Sequence, residues 1–290
     1  MNLNQSRILV TGANGMLAAD LIEALRGAGA TSLTLTDRSE LDILDADAVA
    51  EAVSAADLVI NCAAYTAVDA AEDEEEIAFA INAAGPANLA TACAASGARL
   101  VHISTDYVFA GDATEPYAEN APMAPAGAYG RTKAAGETAV RESGADALIV
   151  RTAYLYGRGG PCFPKTIAKA GKARGALTVV NDQIGQPTWT RDVGAFVVRL
   201  LEADAPAGTY HATSAGQCSW FDFAREIVAS AGLGDIVAPT DSAAYAAKAP
   251  RPAWSVLGHG ASEALGIEGI GDWRERWVEA ASEVLAGVVD

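Results

Sequence analysis

Ile8-Leu9-Val10-Thr11-Gly12-Ala13-Asn14-Gly15-Met16-Leu17-Ala18 is the stretch that decides how the rest of this 290-residue chain is read. Its first four residues form an apolar run rich in β-branched side chains, as a buried strand requires. A glycine-rich turn follows, and over 16–26 apolar residues recur at helical spacing. Gly12 permits a tight turn, and Gly15 lets backbone N–H groups approach an anion at the helix N-terminus. The spacing is GxxGxx(G/A), with Ala18 as the third small residue, where a helix must pack closely on its strand. Asn14, Met16 and Leu17 complete the surface that the turn presents. A strand, a glycine turn and a helix in this order suit the pyrophosphate of a dinucleotide.

Beyond this unit, short apolar runs alternate with helical patterns. Strands are predicted over 32–36, 58–62, 99–104 and 147–154, and helices over 46–54, over 77–96 and from Tyr129 onward. Such alternation implies βαβ units, a parallel sheet and right-handed crossovers. Leu58-Val59-Ile60 and Leu148-Ile149-Val150 are apolar throughout, as strands covered on both faces must be. After Tyr156-Gly157 the regularity loosens around Gly159, Gly160, Pro161 and Pro164, and helical patterns return at 193–201, 221–230 and 273–285. The expected architecture is α/β, with a doubly wound parallel-sheet domain over 1–157, returning segments near 188–215, and a smaller C-terminal lobe over 158–290. The acidic run 72–76 reads as a solvated helix start, where negative charge suits the dipole.

Composition narrows the function. A chain that is 51% hydrophobic and 20% charged folds as a globule. A formal charge of −17 excludes a broad nucleic-acid surface but not a small anion held by local positive potential. Cys62, Cys93, Cys162 and Cys218 form no CxxC pair and have no neighbouring His, so they read as reduced thiols, and no metal is expected. The N-terminus runs straight into a strand, and no apolar run reaches the ~20 residues that span a bilayer. A soluble, cytoplasmic protein with no membrane or nucleic-acid partner is the expectation.

Tyr129-Gly130-Arg131-Thr132-Lys133 sets a phenol and an ammonium one helical turn apart on a single face. A phenol with a pKa of ~10 is a poor acid–base group at neutral pH, and a nearby cation is expected to lower that value. Ser104 and Thr105 end the preceding strand, at the sheet edge where open α/β proteins bind ligands. A hydroxyl there can polarise a carbonyl. Asp37 ends the second strand, where a carboxylate binds ribose hydroxyls and favours NAD, whereas Arg38 beside it can hold the 2′-phosphate of NADP. The pair leaves both cofactors open.

With these residues in hand, the chain resembles the extended short-chain dehydrogenase/reductase superfamily. More narrowly, the strings VINCAAYTAVD at 59–69, STDYVF at 104–109, RTAYLYG at 151–157 and NDQIGQPT at 181–188 resemble the dTDP-4-dehydrorhamnose reductase family. The resemblance implies a Rossmann-like sheet. It implies that Thr105 hydrogen-bonds a 4-keto oxygen, Tyr129 protonates it, and Lys133 supports Tyr129 and holds the nicotinamide ribose. Ala63, Ala64 and Tyr65 would line the cofactor channel. NADPH is favoured, with NADH possible. The implied substrate is a nucleotide sugar met by Val68, Asp69, Ser104, Asp106 and Tyr154, with Arg251 for its pyrophosphate. Gln186 or Trp189 would shape the pocket, unless Trp189 belongs to the core. A homodimer is compatible with the resemblance. Some relatives join subunits through Mg²⁺ and acidic side chains. Here Asp20 matches one such acid, but Arg191 stands where another is expected, so no metal is assigned.

Two rivals accompany this reading. Epimerases and dehydratases share the scaffold, but Tyr107 stands where a dehydratase would carry glutamate after Thr105-Asp106. Some similar proteins are NADP-binding regulatory subunits of a methionine adenosyltransferase, a role that an intact Tyr129 and Lys133 do not exclude.

Overall fold

The computed structural model describes residues 1–244 and 247–288. Strand β1 (Arg7–Thr11) leads into helix α1 (Met16–Gly27), then β2 (Ser32–Thr36), α2 (Ala46–Ser54) and β3 (Leu58–Asn61). A long helical run follows as α3 (Glu75–Phe79), a π-helical turn (Ala80–Ala84) and α4 (Gly85–Ser96). Then come β4 (Arg99–Thr105), α5 (Ala128–Glu142) and β5 (Ala147–Thr152). With the strand Gly208–His211 these strands form a six-stranded sheet in the order Gly208–His211, β5, β4, β3, β1, β2. Every neighbouring pair is parallel. β3 and β5 are buried along their whole length, whereas edge strand β2 is only half covered, as its more polar SLTLT sequence allows.

One face of the sheet packs Val10, Ile60 and Val150 against Leu21 and Leu25 of α1 and Phe196 and Leu200 of α7 (Thr190–Glu202). The other packs Leu9, Val59 and Leu100 against Val49 of α2 and Leu89 of α4. A separate apolar cluster gathers Tyr156, Trp189 and Trp277 with Ile167 of α6 (Phe163–Arg174) and Phe223 of α8 (Trp220–Ser230).

Two expectations change. The helix Glu75–Ser96 is 22 residues long and holds an 18-residue window of mean hydropathy 1.3, so one segment does have the length and composition of a membrane span. Its glutamates at the start hid that length; the fold lays it on the sheet and buries Leu89, Ala90 and Cys93. The acidic run is also more than a solvated helix start. Glu72 Oε1 accepts from the Ala128 N–H at 2.8 Å, and Glu75 takes Arg131 in a two-pronged pair at 2.7 and 2.8 Å. These carboxylates fasten the first turn of α5, the helix that carries Tyr129 and Lys133.

Candidate active site

β1 and β3 are neighbours from which the chain departs to opposite sides, and in such sheets ligands bind in the crevice at the strands' carboxyl ends. Gly12 has φ +68°, and a Cβ there would lie 2.6 Å from the Ala63 nitrogen. Only glycine lets the two loops meet so closely. Below them, Thr11 Oγ1 donates to Asn61 Oδ1 at 2.8 Å, which also accepts the Ala63 N–H at 3.1 Å. No side chain caps α1 and its first turn holds no acid, which leaves its N-terminal end open to an anion.

Two clefts meet at Asn14, Gly15, Cys62 and Ala64. The first, about 850 Å³, is lined by Asp37, Arg38, Leu41, Ile43 and Ala63. One Asp37 oxygen accepts Ser39 N and Oγ, both at 2.7 Å, and the other accepts Asn14 Nδ2 at 2.6 Å. The Ser39 hydroxyl foremost holds the Asp37 carboxyl below the usual range. Arg38 pairs with Asp42 at 3.5 Å, with 79% of its side chain exposed.

The second cleft, about 1680 Å³, brings together Met16, Leu17, Val68, Ser104, Thr105, Asp106, Tyr129, Lys133 and Tyr154. Tyr129 and Lys133 are placed by the first two turns of α5, and Gly130 lets that helix lie against Tyr107, since a Cβ there would meet the Tyr107 carbonyl oxygen at 2.2 Å. Thr105 lies beside the Tyr129 phenol and acts to lower its pKa. Lys133 Nζ is buried and donates to the Ile103 carbonyl at 2.7 Å. Burial lowers Lys133 to about 8, against the carboxylate of Glu137 one turn on. The expected lowering of the phenol is not found: burial pushes Tyr129 well up, with Asp106 and Tyr107 adding to the rise. The lysine ammonium is engaged by the Ile103 carbonyl, and a phenol withdrawn from water beside a carboxylate keeps its proton.

Several candidates stand elsewhere than expected. Tyr65 does not line the channel with its ring. Its hydroxyl donates to Glu74, its backbone pairs with Asn82 at 2.8 and 3.0 Å, and Thr66 lines the cleft in its place. Ser104 reaches the cleft, but its buried hydroxyl has no hydrogen-bond partner among the described residues; the nearby Glu137 is clamped to Arg151 at 2.7 and 2.9 Å. Asp69 and Arg251 hold one another at 2.8 Å beside Tyr107, set back from the cleft surface. Gln186 is a buried tie: its amide donates to Ser214 and Leu257 carbonyls at 2.9 and 3.2 Å. Trp189 is a core residue at 1% exposure. Asp20 accepts from Thr190, and Arg191 pairs with Glu283 at 3.4 Å.

Of the far wall, the sequence offered Tyr154 but not the rings behind it. Tyr154 has φ +44°, a backbone strain of ~1–3 kcal/mol for a non-glycine residue. Its ring stacks on Trp220 at 3.7 Å and 10°, and Trp220 leans on Phe163 at 4.4 Å. Gly185 makes room, because a Cβ there would fall 2.5 Å from the Tyr154 ring. Trp220 opens α8 behind a capping box, in which Ser219 Oγ accepts from Asp222 N at 3.0 Å while Asp222 accepts from Ser219 N at 3.1 Å. The box predicts a helix start, yet nothing local says that Trp220 faces a cleft.

A parallel sheet with a dinucleotide crevice, and a half-buried tyrosine and a buried lysine on one helix at its lip, define an oxidoreductase of the short-chain dehydrogenase/reductase class. The family model described as the RmlD substrate binding domain matches residues 6–286. A dTDP-4-dehydrorhamnose reductase of Mycolicibacterium smegmatis is 43% identical, over 100% of this chain and 89% of the relative. One from Streptomyces griseus is 45% identical, over 94% and 92%. A crystal structure of the Bacillus anthracis dTDP-4-dehydrorhamnose reductase in complex with NADP superposes with a TM-score of 0.91 at 39% identity, over 95% of this chain and 98% of the other. The chain belongs to the dTDP-4-dehydrorhamnose reductase family.

Proposed function

We propose that the chain reduces the C4 keto group of a dTDP-4-keto-6-deoxy sugar, converting dTDP-4-dehydrorhamnose to dTDP-rhamnose, with NADPH as cofactor. The observation that carries this reading is the meeting of Thr105, Tyr129 and Lys133 in the cleft that also contains the glycine turn. The cradle fits a dinucleotide: Gly12 leaves open a backbone surface that any Cβ would fill. Asp37 has both oxygens engaged while Arg38 stands in solvent, an arrangement that suits a 2′-phosphate better than a bare ribose diol. The bound nicotinamide supplies the hydride. Thr105 orients and polarises the keto oxygen, and Tyr129, kept protonated by burial, gives it a proton. Lys133, fixed on the Ile103 carbonyl, holds positive charge beside the nicotinamide ribose. Val68, Tyr154 and Trp220 flank the sugar, and Asp69 orients Arg251 toward the pyrophosphate.

The sheet half holds the cofactor and the lobe after Gly157 holds much of the nucleotide sugar. The enzyme works in the cytoplasm on a small-molecule substrate. Absorbance of reduced nicotinamide, followed with dTDP-4-keto-6-deoxy sugars and each cofactor, tests the reading. Turnover with NADPH is expected, as is a loss of ~10²–10⁴-fold in Tyr129→Phe. Unchanged turnover in a folded Tyr129→Phe protein removes the tyrosine from the mechanism.

A further inference from the structure

Asp106 stands behind the keto-binding hydroxyl, and the mechanism above gives it no proton to carry. It follows Thr105 at the end of β4 and is 2% exposed. Thr105 Oγ1 donates to its Oδ1 at 2.9 Å. The groups that face it are Tyr107 from its own segment, Tyr129 from α5, Tyr154 from the segment after β5 and Ser255 from the C-terminal region. Arg251 and Asp69 act on Tyr107, one step further out. A buried carboxylate that shares its cleft with three tyrosines, and whose Oδ2 has no hydrogen-bond partner among the described residues, is poorly placed to stay ionised.

Hydroxyl arithmetic makes that charge state matter. Thr105 Oγ1 has one proton to give and two lone pairs, one of which accepts the Tyr107 N–H at 3.2 Å. With Asp106 ionised, the threonine proton is committed to the carboxylate, and the remaining lone pair draws the Tyr129 proton away from a ketone. With Asp106 neutral, the acid donates to Thr105, and both hydroxyl protons are released toward the keto oxygen.

We propose that Asp106 carries the proton that restores Tyr129, passing it through Thr105, an inference that rests on the reductase reading given above. As the keto carbon is reduced, the Tyr129 O–H bond breaks and an O–H bond forms on the sugar. The phenolate then takes the Thr105 proton, and Thr105 takes the proton of Asp106. Asp106 ends as a carboxylate accepting from Thr105, the hydrogen bond seen at 2.9 Å, and solvent reprotonates it.

Burial raises Asp106 to about 6. The acid is the working form, so kcat falls as pH rises through that group. Asp106→Asn keeps the shape but carries no transferable proton. We expect kcat to drop ~10²-fold and the fall with pH to vanish, with NADPH binding, read by fluorescence, unchanged. Wild-type kcat and the same pH profile in Asp106→Asn overturn the relay alone, provided the wild-type enzyme turns over. Should Asp106→Asn not fold, a wild-type kcat that stays level as pH rises through about 6 overturns it. A wild-type protein that consumes no NADPH with any 4-keto sugar nucleotide overturns the reductase reading itself, and the relay with it.

Discussion

The two walls of the cleft are built from different materials. On the cofactor side the surface is backbone: the Gly12 turn, the loop at Ala63 and the uncapped start of α1. On the other side it is aromatic side chain: Tyr154 held in a strained conformation, stacked on Trp220 and backed by Phe163. A backbone surface binds whatever offers phosphate oxygens and depends on side chains mainly through the room they leave. A side-chain wall is specific, and each ring can be exchanged without disturbing the sheet.

Three substitutions sharpen or break this contrast. The largest effect is expected from Gly12→Val, which adds a Cβ 2.6 Å from backbone where φ is +68°. The strained backbone alone costs ~1–3 kcal/mol, and the clash adds to it. NADPH binding should be lost in a fluorescence titration while the folded circular-dichroism spectrum persists; tight binding would show that the turn does not face the cofactor. Trp220→Ala removes one aromatic stack of ~0.5–1.5 kcal/mol. KM for the nucleotide sugar should rise about two- to tenfold with the Kd of NADPH unchanged, and a change in the cofactor constant instead would break the division between the walls. Arg38→Ala should have the smallest effect, since an exposed ion pair contributes ~0.2–1 kcal/mol. A loss of about two- to fivefold in NADPH affinity, with NADH unaffected, is expected from paired titrations. Equal loss for both would take the 2′-phosphate role from Arg38.

Much of the sheet was legible because strands buried on both faces must be apolar along their whole length. Residues 58–60 and 147–150 are, and the strands lie there, each closing on polar residues at its carboxyl end. The YxxxK spacing likewise put Tyr129 and Lys133 on one helical face, and α5 begins one residue before Tyr129. Their electrostatics were not legible. Spacing suggested that the ammonium lowers the phenol, whereas burial raises it, because Lys133 is drawn to the Ile103 carbonyl. The pairing of Asp69 with Arg251 was hidden for another reason: Asp69 was read as a sugar contact and Arg251 as a pyrophosphate ligand, and only the folded chain brings them within 2.8 Å. The π-helical turn at Ala80–Ala84 was equally invisible, and it carries the Asn82 that pins the Tyr65 backbone.

Sequence by itself determined the βαβ order, the glycine turn and the tyrosine–lysine face, since each depends on a period or spacing among neighbouring residues. Tertiary structure alone decided what surrounds them: the Ala63 backbone against Gly12, the Trp220 ring on Tyr154, and the phenols around Asp106. Burial and charge state are properties of neighbours in space, and those neighbours come from segments that no local pattern links.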